Sequence, residues 1–224
     1  MLKKVAIIQA RIGSSRLPGK VLKPILNRPM LQLLIERVRQ VDMLDEVVVA
    51  TSEKKIDDDI AVLVESLPEV SVYRGSEDNV LQRYYLAACE FNAAVILRIT
   101  ADNPFFDIET ATKMLEMFHS GRYDYLANNF ERTFPYGIDL EVFSRAVLEK
   151  SYREASYPEQ LEHVTPYMRD RTGCFRHGRL SYNEDLSAMR LTVDTDEDYR
   201  RAVALFERFG QNVTFREIAH AGLI

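Results

Sequence analysis

Short runs of β-branched and apolar residues alternate with amphipathic segments through the first half of this chain. No other feature limits the fold as strongly. Residues 4–9 (Lys-Val-Ala-Ile-Ile-Gln), 46–51 (Glu-Val-Val-Val-Ala-Thr) and 94–100 (Ala-Val-Ile-Leu-Arg-Ile-Thr) read as strands. Strands so continuously apolar are buried on both faces, as in a parallel sheet covered by helices. A helix is expected from near Pro29, a residue suited to a first turn, with Leu31, Leu34, Ile35 and Val38 on one face. Further helices are expected over 56–67, 79–92 and 108–119, with a short strand over 70–73. The rhythm then changes. Residues 123–129 and 137–143 read as strands, 144–155 and 159–171 as helices, and 191–194 as a last strand before a helix over 196–209. No repeat, low-complexity stretch or linker divides the 224 residues. The expectation is one α/β domain over residues 1–224, a Rossmann-like, mostly parallel sheet flanked by helices and elaborated over about 123–190.

Seven basic residues and no acidic one occupy the first 35 positions of a chain whose net charge is −5. They surround the small-residue stretch from Ala10 through Arg11, Gly13, Ser14 and Arg16 to Lys20, directly after the first strand. Glycines there let backbone approach a ligand closely, and free N–H groups with Arg11, Arg16 and Lys20 supply counter-charge to phosphate. The pattern is not a Walker loop, lacking its Gly-Lys-Ser/Thr ending, nor a Gly-x-Gly-x-x-Gly dinucleotide site. An acidic chain with one basic cluster argues against a broad nucleic-acid or anionic-membrane surface and for a small anionic ligand.

In open α/β sheets, ligands sit beyond the carboxyl ends of the strands. The basic loop, Thr51-Ser52, Arg74-Gly75 and Asp102 all follow expected strands and so belong to one edge. Asp102 (in Thr-Ala-Asp-Asn-Pro) and Asp194 (in Leu-Thr-Val-Asp-Thr) each follow a β-rich segment. Each suits a Mg²⁺ ligand, which works with one or two carboxylates plus phosphate oxygens, and equally suits an Asx-turn or helix cap. Asp139 and Glu141 fall on one face of an expected strand, where they suit acceptor hydroxyls or an exposed charged edge. His163, in Glu-His-Val-Thr-Pro-Tyr, is a further candidate beside a purely structural role. No zinc-ligand spacing, hydrolase elbow or catalytic-cysteine signature is present.

Cys89 and Cys174 are too few for a disulfide framework and fit a reduced compartment. The apolar run after Met1 breaks at Gln9 and Arg11, too early for a signal-peptide core, and no stretch has the length of a membrane span. A soluble cytoplasmic protein is expected.

The segment from Ile8-Gln9-Ala10-Arg11 through Arg16-Leu17-Pro18-Gly19-Lys20-Val21-Leu22 resembles the opening motif of the cytidylyltransferases that activate sugar acids as CMP conjugates. Those are the CMP-Kdo synthetases and acylneuraminate cytidylyltransferases, and the match is closer to their SpsF-like (spore coat polysaccharide biosynthesis) subgroup. Motifs at 73–81, 98–104, 137–143, 162–167 and 190–195 extend the resemblance from Ile7 to about Phe206. It implies a glycosyltransferase-A-like nucleotidyltransferase fold, commonly dimeric, that transfers CMP from CTP to a sugar or sugar-acid acceptor. By the resemblance, Arg11, Arg16 and Lys20 bind the CTP phosphates with Ser14 in support, and Asp102 and Asp194 hold Mg²⁺. Ala10, Gly13, Arg74 and Thr100 complete the expected nucleotide site, and Asp139, Glu141 and His163 the acceptor site. Ala101 stands where the subgroup commonly has Gly. The same fold serving another nucleotide or a sugar-phosphate acceptor is the alternative reading, and a non-catalytic nucleotide-binding partner is a second.

Overall fold

The computed structural model describes residues 2–170 and 173–222. Strand β1 (Lys4–Gln9) runs into the basic loop, which closes with a 3-10 turn over Lys20–Leu22 and a small hairpin, β2 (Pro24–Ile25) with β3 (Arg28–Pro29). Then follow α1 (Met30–Val38), β4 (Glu46–Ser52), α2 (Asp58–Glu65), β5 (Ser71–Gly75), α3 (Val80–Glu90), β6 (Val95–Thr100) and α4 (Ile108–His119). The second half carries β7 (Tyr125–Ala127), β8 (Glu141–Ser144), α5 (Arg145–Glu154), α6 (Pro158–His163), α7 (Pro166–Asp170) and β9 (His177–Arg179). It ends with α8 (Asp196–Phe209) and α9 (Phe215–His220).

The described residues form a seven-stranded sheet in the order β5-β4-β1-β6-β8-β7-β9. Strands β5, β4, β1 and β6 are mutually parallel, whereas β8 runs antiparallel to both β6 and β7. Successive side chains alternate between faces. Ala6 and Ile8 of β1 join Val47, Val49, Leu97 and Ile99 in a core shared with α1, α4, α8 and α9. Val5 and Ile7 join Val48, Ala50 and Ile96 in a second core with α3, α5 and α7. Residues 5–8 are fully buried, as expected for a central strand, and the side chains of Val5, Ile7 and Ile8 contribute roughly 1.5–3 kcal/mol each.

Local chemistry fixes the helix starts beside the sheet edge. Asn79 Oδ1 accepts from Gln82 N at 2.8 Å to cap α3, and Asp107 Oδ1 accepts from Thr110 N at 2.9 Å to cap α4. At α8, Thr195 and Asp198 cap reciprocally.

Elsewhere the elements depart from expectation. Only residues 141–143 of the expected 137–143 strand enter the ladder, in a β8 that runs on to Ser144, because the Asn128 side chain takes over the backbone groups before it. Asn128 Oδ1 accepts from Leu140 N, and its Nδ2 donates to Ile138 O. Residues 191–194 are extended but form no strand. Leu191 N bonds to Tyr136 O and Val193 N to Asp102 O, two separate segments rather than one partner strand. The expected helix over 159–171 is split after His163 by a turn at Val164 (φ 70°), and its end, Arg171, lies outside the described residues.

Gly137 carries φ +100°, and a Cβ there would lie 2.5 Å from Thr192 N. Gly137→Ala is therefore expected to destabilise by about 1–3 kcal/mol. Urea unfolding measures this, and an unchanged midpoint would mean that the backbone relaxes at no cost.

Candidate active site

A cavity of about 420 Å³ opens at the carboxyl ends of β1 and β6. Its walls come from the basic loop, the first turn of α3, residues 100–102, the end of α6 and Asp194. This is the edge where open α/β sheets place their ligands.

The basic loop is shaped by buried acceptors. Ala10 N donates to Ala50 O (3.2 Å) and Ile12 N to Asp57 Oδ1 (2.6 Å). Asp57 is fully buried, and its other oxygen accepts from Ser52 Oγ. Ser14 N and Gly19 N both turn onto Ile12 O, at 2.7 and 3.1 Å, and Gly19 (φ 69°) supplies the left-handed step that this needs. Leu17 and Val21 anchor the far end in the core. Between these fixed points Ala10, Arg11, Gly13, Ser14 and Arg16 line the cavity.

Lys20 is the hub. Its Nζ donates to Asp102 Oδ2 (3.2 Å), Asp194 Oδ1 (3.0 Å) and Val193 O (2.8 Å), which uses all three ammonium protons. The residue is 9% exposed. Asp194 is further neutralised by Arg16 (3.0 Å) and by Arg190, whose Nη2 lies 2.6 Å from Oδ2. Val193 N donates to Asp102 O at 2.8 Å, so the two aspartate segments are held together by backbone as well.

On the opposite wall, Glu162 and His163 line the cavity, and Glu162 Oε1 lies 3.7 Å from Arg11 Nη2. The next residue, Val164, is fully buried in a γ-turn (φ 70°, ψ −54°) closed by Thr165 N to His163 O at 2.8 Å. That conformation is strained for a β-branched residue and persists only where packing enforces it.

Behind the cavity lies a buried polar chain. Arg98 pairs with Glu141 and donates from Nη2 to Gln9 Oε1 at 3.2 Å, and Tyr125 donates its phenol to Glu141. Burial first, then the Glu141 carboxylate, pushes the Tyr125 phenol well above its ordinary range. Gln9 lines the cavity. Its carbonyl is taken by Arg98, so its NH2 remains as the donor.

Of the residues expected at the site, the fold brings Ala10, Arg11, Gly13, Ser14, Arg16, Lys20, Thr100, Asp102, His163 and Asp194 to one cavity. Arg74, Asp139 and Glu141 lie outside its lining and are committed to internal partners. Arg74 braces Ser52 O, Lys54 O and Asp58. Asp139 pairs with Arg132 at 2.7 Å and accepts from Gly137 N. Glu141 is 2% exposed, bound by Arg98 and Tyr125, and does not share a strand face with Asp139. Sequence reasoning passed over Gln9, Asp57, Arg83 and Glu162. Glu162 stood inside a quoted motif beside His163, a signal that could have found it.

Asp102 and Asp194 aim oxygens at the same ammonium, so they converge. A pair of hard carboxylate donors beside a phosphate-sized cationic loop suits Mg²⁺, which takes one or two carboxylates and fills its shell with phosphate and water.

Comparison with known proteins adds to this geometry. The family model described as Cytidylyltransferase matches residues 5–218. The chain is 39% identical over 215 residues to the spore coat polysaccharide biosynthesis protein SpsF of Bacillus subtilis, covering 92% of this chain and 87% of that one. It superposes with a TM-score of 0.94 on a cytidylyltransferase from Leptospira borgpetersenii, 34% identical, covering 99% of this chain and 94% of the other. A CMP:2-keto-3-deoxy-manno-octonic acid synthetase complexed with CTP shares the fold at a TM-score of 0.69 and 21% identity, over 92% of this chain and 99% of that one. With the Lys20 hub, the basic loop and a family match over nearly the whole length, the chain belongs to the cytidylyltransferase family.

Proposed function

We propose that this protein transfers CMP from CTP to a hydroxyl of an acidic or modified sugar, releasing pyrophosphate, for surface polysaccharide synthesis. The observation that carries the reading is the single Nζ of Lys20 shared by Asp102 and Asp194 at the edge of a basic pocket. The acceptor oxygen attacks the α-phosphorus. The bond from that phosphorus to the bridging oxygen of the β-phosphate breaks, and the hydroxyl proton passes to solvent or a neighbouring base. Arg11, Arg16 and Lys20 neutralise the triphosphate, with backbone around Gly13 and Ser14 close to its oxygens. Asp102 and Asp194 hold Mg²⁺, which when bound supplies polarisation of the phosphoryl oxygens. Lys20 keeps the two carboxylates converged before the ligand arrives, so little reorganisation is needed.

His163 and the elaborated segment over about 123–190 face the acceptor in this reading. The CTP complex of the CMP:2-keto-3-deoxy-manno-octonic acid synthetase supports the choice of nucleotide, and the SpsF likeness supports polysaccharide synthesis. A cytoplasmic homodimer completes the proposal.

Thermal unfolding with CTP, UTP, ATP and GTP, each with and without Mg²⁺, tests it. At about 100 times the dissociation constant, CTP with Mg²⁺ is expected to add roughly 2.7 kcal/mol. For a chain of this length that raises Tm by about 5–10 °C. A larger shift with another nucleotide would redirect the assignment to that nucleotide. No shift with any would refute nucleotide transfer here.

A further inference from the structure

Carboxylates face the basic loop from two sides of the cavity, and the two sides differ in kind. Asp102 and Asp194 are fixed, sharing one ammonium and joined through the backbone bond from Val193 N to Asp102 O. The Asp194 side chain is 15% exposed. Glu162, on the opposite wall, has 53% of its side chain exposed. It reaches Arg11 at 3.7 Å, and among the described residues neither of the two forms another ion pair.

The backbone beneath Glu162 is pinned on both sides. Glu162 is the fifth of the six residues of α6. Two positions before it, Gln160 is buried and its Oε1 accepts from Ser156 N (3.1 Å) and Tyr157 N (3.3 Å). Two positions after it, Val164 is fully buried in the γ-turn. What is free to move is the Glu162 side chain, by rotation about its own torsions into solvent.

Arg11 is also one of the three cations assigned above to the triphosphate. Arg16 and Lys20 have Asp194 and Asp102 as counter-charges, whereas Arg11 has Glu162. A phosphate that binds Arg11 must displace that carboxylate and then lie near a like charge. An exposed pair at this distance yields easily, so Glu162 weakens phosphate binding without blocking it. The effect matters most for a ligand made of phosphate alone. CTP also brings a ribose and a base, but the pyrophosphate left behind after transfer has only its phosphate contacts.

We propose that Glu162 is a product-release residue, a resident carboxylate that competes with pyrophosphate for Arg11 and retakes the guanidinium as the product leaves. The proposal rests on the reading of the protein as a CTP-dependent transferase, in which pyrophosphate remains on the basic loop once the bond to the α-phosphorus has broken. No backbone movement is required, only exchange of one anion for another on a single cation.

Calorimetric titration with inorganic pyrophosphate and Mg²⁺ tests this on wild type, Glu162→Gln, Arg11→Met and the double variant. Glu162→Gln keeps the shape and removes the charge, and is expected to tighten pyrophosphate about three- to fivefold, the scale of an exposed ion pair. Arg11→Met is expected to weaken it, and adding Glu162→Gln to that variant should change affinity by less than about 1.5-fold. The gain in the single variant should also shrink as salt rises from about 0.05 to about 0.5 M, a response that altered packing of α6 would not show. Unchanged or weaker pyrophosphate binding by Glu162→Gln would overturn the proposal. So would a full gain that survives in the Arg11→Met background, which would make Glu162 a general source of repulsion rather than a competitor for that guanidinium. Titration of wild type with CTP and UTP tests the underlying reading separately. Equal affinities there would overturn the cytidylyl assignment, while the pyrophosphate affinities alone decide the role of Glu162. Wild type that binds no pyrophosphate would overturn both.

Discussion

Lys20→Met is expected to lower nucleotidyl transfer by about 10²–10³-fold, the loss typical when one preorganised charge contact to a transition state is removed. The side chain is 11% exposed and holds Asp102 and Asp194 within 3.2 Å of one nitrogen. Methionine fills similar space but supplies no charge. The two carboxylates would then face one another across an apolar tip, and a triphosphate would meet net repulsion where wild type offers a cation. Pyrophosphate release at saturating CTP measures the effect, with circular dichroism to confirm the fold. Part of the loss should appear in KM, because the ground-state phosphates also lose a nearby neutralising charge. Turnover within about threefold of wild type would remove Lys20 from the transition state.

Glu141→Ala is expected to be the most damaging single change to stability, at about 3–5 kcal/mol. Glu141 is 2% exposed and joins Arg98 and Tyr125 between β6, β7 and β8. Its removal strands the Arg98 guanidinium, whose Nε is already a buried donor without a partner. An uncompensated buried charge is what makes such breaks expensive. For a chain of 224 residues the loss corresponds to a fall in Tm of roughly 10 °C. Replacing both partners with apolar residues of similar volume should recover much of it, since paired burial offers little net gain over packing. A direct acceptor contact by Glu141 predicts the opposite pattern, with a nearly normal melt and a raised KM for the sugar.

The parallel half of the sheet was legible because β1, β4 and β6 are buried on both faces and announce themselves as unbroken apolar runs. The alignment of the Lys20 loop with Asp102 followed from that, since both leave carboxyl ends of neighbouring strands. The meeting of Asp102 with Asp194, a separation that no local pattern spans, was supplied by family resemblance. Arg83 escaped because an arginine between Gln82 and Tyr84 reads as a solvated helix position, and only the packing of α3 shows it turned inward. Asp57 escaped because its job is to hold the backbone of residue 12, forty-five positions away. The short β9 has too few residues to show alternation. By contrast α9 did carry a readable signal, the reciprocal cap between Thr214 and Glu217, ahead of only six helical residues.

The contacts of Lys20 join positions 82, 173 and 174 residues apart. The parallel core is complete in sequence by Thr100, yet the second carboxylate arrives only just before α8. Loops of that length close at an entropic cost that delays their contacts, so the pocket is among the last things the chain acquires. A nascent or truncated chain ending before Asp194 would own all seven strands of the sheet and most of the cavity lining, but not the second carboxylate. On the proposed reading, a nucleotide whose binding needs that carboxylate would by mass action stabilise the finished chain more than such a fragment.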